Sequence, residues 1–123
     1  MYELRIDRTL KLTHALRLYD GIVEPVHEHQ WRVSAVVTSG ELDQIGAVMD
    51  FNELARIIDA VCAPLQGRLL NDLPMFKEKN PSSEHVADYV FESIAPHLPP
   101  NVSLERVTIT RTELIDAPFT RRR

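Results

Sequence analysis

His27-Glu28-His29-Gln30-Trp31-Arg32-Val33-Ser34-Ala35-Val36-Val37 alternates with a period of two. Strand side chains point to opposite faces in turn, so His27, His29, Trp31, Val33, Ala35 and Val37 share one side. The stretch from residue 2 to residue 14 behaves the same way. Tyr2, Leu4, Ile6, Leu10 and Leu12 are in phase with His14, while Glu3, Arg5, Asp7, Thr9, Lys11 and Thr13 make the other face wet. Two half-buried strands follow from this pattern. Residues 15–26 break it with Asp20-Gly21 and Pro25 and read as a loop.

Histidines sit where these strands meet the loop. The Cα atoms of His27 and His29 lie about 6–7 Å apart along a strand, a span that two imidazoles can close onto one ion. His14 projects from the face expected to be buried. Three neutral ring nitrogens in a shielded place are the ligand set of a catalytic zinc, with a fourth position left for water or substrate. A His-x-His pair alone is equally the mark of ordinary strand histidines, so both readings stand on pattern alone.

Working outward, Ser39-Gly40 ends the second strand, and Ile45 to Met49 is a short apolar piece, a further strand or a lead-in. Asp50 and Glu53 have capping-box spacing at the start of a helix whose stripe is Leu54, Ile57, Ile58, Val61 and Leu65. Pro64 breaks its last turn. Residues 66–79 form a long connection. Asn80-Pro81 reads as N-cap and first-turn pair of a second helix with Val86, Tyr89, Val90 and Ile94 inward. A strand over 102–113 puts Val107 and Ile109 on one face, continued by Arg111 and Glu113, and a short strand near 117–121 follows. The class is α+β: an antiparallel sheet of about four strands with two helices on one face. Such a sheet has two free edges, and joining them between copies of the chain predicts a ring-like homo-oligomer.

Bulk numbers bound the rest. The 123 residues suit one domain over 1–123, with 44% hydrophobic and 26% charged residues. A formal charge of −4 argues against a nucleic-acid partner. Arg121, Arg122 and Arg123 read as a frayed, solvated tail. No apolar run is long enough for a membrane, and the start does not resemble an export signal. The single cysteine, Cys62, excludes an internal disulfide and fits a reducing cytoplasm.

Taken together, the chain resembles the 6-pyruvoyltetrahydropterin synthase and 6-carboxytetrahydropterin synthase family over nearly its whole length. The matching pieces are His14 with His27-x-His29, Val48-Met49-Asp50-Phe51, the stretch Leu69 to Phe76, and Asn80-Pro81-Ser82-Ser83-Glu84. The resemblance implies a T-fold subunit that trimerises through a barrel, two trimers stacking as a hexamer. It also implies zinc on His14, His27 and His29 and a pterin site at subunit contacts.

The departures bear on chemistry. The family's cysteine, four residues before His-x-His, is Val23 here. Its Leu-Asp-His relay is Leu65-Gln66-Gly67. Its ring-anchoring glutamate before threonine is Arg111-Thr112. Glu24, three residues before His27, resembles a subgroup in which a glutamate replaces the cysteine and dihydroneopterin triphosphate loses its side chain to leave 6-hydroxymethyl-dihydropterin. On that resemblance Glu24 is the base of a zinc-assisted retro-aldol cut; the other reading is a solvated loop acid. Glu113 could offer a pterin the lost carboxylate or pair with Arg111, and Arg68 could meet a phosphate or carboxylate or lie exposed. Two further outcomes stay open: a homologue with an anionic ligand, since arginine is donor-only, and a zinc-bound scaffold without catalysis.

Overall fold

A computed structural model describes residues 1–112 and 117–123. The alternating stretches become the strands β1 (Tyr2–His14) and β2 (His27–Ser39), followed by the helices α1 (Phe51–Cys62) and α2 (Ser83–Ile94) and the strands β3 (Ser103–Arg111) and β4 (Ala117–Arg122). The four strands form one antiparallel sheet in the order β1-β2-β3-β4. This is the α+β layout expected. Among the described residues no helix is long and apolar enough to cross a membrane.

Parity decides which face of the sheet is covered. Trp31, Val33, Ala35 and Val37 of β2 are wholly buried, as are Val107 and Ile109 of β3. Both helices lie over this face, α1 against β1 and α2 against β3 and β4. Leu54 and Ile58 of α1 and Val86, Val90 and Ile94 of α2 close the core from above. The register of β2 and β3 shifts between Val36 and Val37, where Arg106 and Leu104 are the successive partners. That bulge lets Leu104 and Val107, of opposite parity, both face the core. Arg8, which interrupts the apolar phase of β1, lies on the helix side and its Nε–H donates to Asp59 of α1 at 2.6 Å. On the uncovered face, hydrogen bonding from the Arg5 guanidinium holds the Asp7 carboxyl below the usual carboxylate range.

Three expectations are corrected. Residues 45–49 form no strand: the Asp43 carboxylate accepts from the amides of Ile45 and Ala47, and Gly46 takes a positive φ of 81°, so the segment is a turn. The second helix is capped by Ser82, whose hydroxyl accepts from the His85 amide at 3.2 Å, and not by Asn80-Pro81. The terminal arginines are not frayed. Arg121 lies in β4 and bonds Asp88 and Glu92 of α2, and the Arg123 amide donates to the Glu105 carbonyl. At the start of α1, Asp50 caps as expected, accepting from the Asn52 amide at 2.8 Å.

Candidate functional site

The site is built at the end of the sheet where β1 stops and β2 begins. His14 and His27 are direct partners across the two strands, and His29 faces Leu12 two residues further in. The rings of His14 and His29 lie 4.6 Å apart edge to face, and those of His27 and His29 lie 5.9 Å apart. Trp31 forms the floor: it stacks on His29 at 5.7 Å and meets His14 edge-on at 5.1 Å. His14 and His29 are buried, whereas His27 faces solvent. The strand pattern therefore brings the three rings to one end and one side of the sheet, with His27 exposed where the sequence reading expected a shielded place.

The hydrogen bond of His14 selects its free nitrogen. Nδ1 lies 2.6 Å from the carbonyl oxygen of Pro81, 67 residues away. A carbonyl only accepts, so Nδ1 carries the proton and Nε2 keeps the lone pair. Burial lowers the His14 pKa below the ordinary histidine range, against that hydrogen bond, which raises it. At neutral pH the ring is thus neutral and has one nitrogen available. An imidazole oriented through its other nitrogen is the usual preparation of a metal ligand. Among the described residues, no group of three or more His, Cys, Asp or Glu side chains is arranged as it stands to hold a metal ion. The donor set fits zinc: His14, His27 and His29 would hold it.

Glu24 is not a free loop acid. The Leu16 amide donates to its Oε1 at 2.9 Å, and its own amide donates to the Leu16 carbonyl at 3.0 Å. Its charge acts on His14, as does that of Arg111, in opposite senses. Arg111 is the cross-strand partner of Trp31, the residue under the imidazoles. Arg68 is tied to the same end of β1 through its carbonyl, which accepts the Thr13 amide at 2.9 Å, with its side chain exposed. Glu113 lies outside the described residues. Gln66, in the stretch where the family's relay would stand, accepts the Lys11 amide at 2.7 Å and caps the edge of β1 instead. Cys62 is buried, and burial pushes its thiol up to about 11, far from a reactive thiolate.

Sequence reasoning missed the Pro81 carbonyl, which no side-chain pattern announces. His85 is half-buried, and its Nδ1–H donates to the Asn80 carbonyl at 2.6 Å.

The family profile described as 6-pyruvoyl tetrahydropterin synthase matches residues 3–120. A curated relative from Pyrococcus furiosus, named dihydroneopterin monophosphate aldolase, is 33% identical over 96 residues, which are 78% of this chain and 77% of the relative. Among solved structures, the Caenorhabditis elegans 6-pyruvoyl tetrahydropterin synthase aligns with a TM-score of 0.75 at 25% identity, covering 100% of this chain and 97% of that one. A Plasmodium vivax 6-pyruvoyltetrahydropterin synthase aligns with a TM-score of 0.71 at 18% identity, covering 99% and 98%.

Proposed function

Because the chain belongs to the 6-pyruvoyl tetrahydropterin synthase family, we propose that it is a zinc-dependent pterin lyase of the aldolase kind, acting on a dihydroneopterin phosphate with Glu24 as base. One observation carries the choice of reaction. The Glu24 carboxylate accepts from the amide of Leu16, two residues after His14, which supports a carboxylate base at this end of β1 although the cysteine position holds Val23. The name of the Pyrococcus furiosus relative supports both the aldol cut and a phosphorylated substrate.

The chemistry follows from these groups. Glu24 Oε1 is taken by the Leu16 amide, which leaves Oε2 for the proton of the substrate's C2′ hydroxyl. As that proton leaves, the C1′–C2′ bond breaks and the C2′ oxygen becomes an aldehyde carbonyl. The bonding pair enters the conjugated pterin ring, and return of the proton from Glu24 to C1′ gives 6-hydroxymethyl-dihydropterin. The other product is glycolaldehyde carrying the phosphate. His14, His27 and His29 would hold the zinc ion, which would supply polarisation of the side-chain hydroxyls. Arg111, and Arg68 at the same end of β1, supply positive charge for the phosphate.

The test is product analysis. Zinc-loaded protein given dihydroneopterin monophosphate or triphosphate yields 6-hydroxymethyl-dihydropterin. Glu24→Gln keeps an acceptor for the Leu16 amide and lowers turnover by about 10²–10⁴-fold. A pyruvoyl or carboxy product overturns the aldol reading, and an unimpaired Glu24→Gln variant overturns the base. Zinc binding and stabilisation by phosphorylated or carboxylated ligands, with no pterin product, would favour a family member with an altered, anionic ligand. The outer edges of β1 and β4 end the sheet, and the same reading joins them between copies as a trimer or hexamer. Light scattering then gives three or six times the 14.1 kDa chain.

A further inference from the structure

Three successive backbone amides after His14 all donate to side chains. Ala15 donates to Asn71 Oδ1 at 2.9 Å, Leu16 to Glu24 Oε1 at 2.9 Å and Arg17 to Asn80 Oδ1 at 2.7 Å. The amides of an extended segment point alternately to its two sides. Leu16 thus faces the hairpin partner that carries Glu24, while Ala15 and Arg17 face the connection before α2. Both asparagines also return a hydrogen bond: Asn71 Nδ2–H to the Ala15 carbonyl at 2.7 Å and Asn80 Nδ2–H to the Arg17 carbonyl at 2.9 Å. A carboxamide holds one donor side and one acceptor side in a plane, as a peptide group does. Each asparagine exchanges two bonds with one residue, which is what a neighbouring antiparallel strand would do.

We infer that Asn71 and Asn80 are positioning residues that stand in for a missing strand along Ala15–Arg17, fixing the Leu16 amide that grips Glu24, and that the Pro81 carbonyl, next along the chain from the Asn80 anchor, fixes the His14 ring. Helix capping does not occupy the Asn80 side chain, because Ser82 performs it. The hairpin beyond this point has its own bonds, Leu18 N–H to the Ile22 carbonyl and the Arg17–Val23 bridge, and its tip at Tyr19–Gly21 is exposed. Asn80 therefore joins three parts: its amide holds Arg17, its carbonyl holds His85, and the next carbonyl holds His14. Asn71 holds only the Ala15 end. The two residues should accordingly differ in what they control. Aspartate, equal in size, would place an acceptor against the Ala15 or Arg17 carbonyl and break the exchange.

Only the description of Glu24 as base rests on the proposed function; the clamp is tested without substrate. The full chain, isotope-labelled and metal-free, is followed by NMR. In the wild type, one side-chain N–H of each asparagine is protected from exchange, and the His14 ring shows a protonated Nδ1. Asn80→Asp speeds exchange of the Leu16 amide at least about tenfold and moves the His14 ring towards a tautomer mixture. Asn71→Asp speeds Leu16 exchange and leaves the His14 ring as it was. In a turnover assay, both variants lose kcat with KM retained. Unprotected asparagine side chains in the wild type overturn the inference even where a variant fails to fold, and so does an Asn80→Asp variant with wild-type exchange and ring shifts. A wild type with these signatures but no pterin turnover would sink the proposed function and leave the clamp standing.

Discussion

The β1–β2 hairpin is held together differently at its two ends. From Tyr2 to Leu10 it pairs with Trp31–Ser39, and its inner face, Arg8 apart, is apolar side chain packed under the helices. From Lys11 to His14 it pairs with His27–Gln30, and its outer edge is covered by single hydrogen bonds: Gln66 and Gly67 to Lys11, and Arg68 to Thr13. The first end is over-determined, because each core side chain has many neighbours and none is indispensable to register. At the second, each position depends on one or two named bonds. Fold stability and site geometry are therefore separable, and substitutions should sort accordingly.

The largest effect belongs to the apolar end. Ile58 is wholly buried between α1 and the sheet, so Ile58→Ala should cost about 2–5 kcal/mol. Urea denaturation measures it. The zinc affinity of the folded fraction should stay at the wild-type value; a parallel loss of affinity would show that the two ends are coupled after all.

On the proposed reading, zinc would act at the other end only. A free concentration a hundredfold above its dissociation constant should stabilise the chain by about 2.7 kcal/mol. His29→Ala should abolish that increment while leaving α1 and α2 folded, as thermal scans with and without chelator would report. An equal increment in His29→Ala would place the metal elsewhere.

Proton linkage separates the same two regions. Metal-free, the folded chain holds His14 below the ordinary imidazole pKa of about 6.5. Below that pH the unfolded chain takes up a proton that the folded chain refuses, so stability is present above it and is lost as pH falls towards the folded value. The slope should reach at most about 1.4 kcal/mol per pH unit, and His14→Gln should flatten it. At the apolar end the sign reverses. Cys62, pushed up to about 11 by burial, keeps its proton when the unfolded thiol has lost it. Stability should then fall as pH rises above the ordinary thiol range, and Cys62→Ala should remove that loss.

How far the sequence could be read follows the same division. Period-two alternation located both long strands and the face they bury, because apolar burial leaves a mark at every second residue. It also put His14, His27 and His29 on one side. The position of Glu24 beside His14 rests on a hairpin, and the orientation of His14 on a backbone carbonyl 67 residues away; neither leaves a periodic trace. Asn80-Pro81 carried a strong local signal for a helix cap, but tertiary pairing with Arg17 claimed the asparagine and Ser82 took the cap. Arg8 broke the phase of β1 because Asp59 waited for it on α1.

The smallest effect tests the far edge of the sheet, where Arg121 of β4 reaches α2. Its guanidinium lies 2.9 Å from both Asp88 and Glu92 and 4.2 Å over the Phe91 ring. Both carboxylates are exposed, at 52% and 68% of the side chain, so water and salt screen the pairs. The ring contact adds about 0.5–1 kcal/mol at such a site. Arg121→Ala should therefore lower stability by only about 1 kcal/mol, and molar salt should erase the ion-pair part while sparing the ring contact. A double-mutant cycle with Glu92→Ala, measured by denaturation at low and high salt, separates the two. A loss of several kcal/mol would mean that β4 is attached to the core through this one arginine. The outer edge of the sheet would then belong, with the histidine end, among the regions held by single bonds.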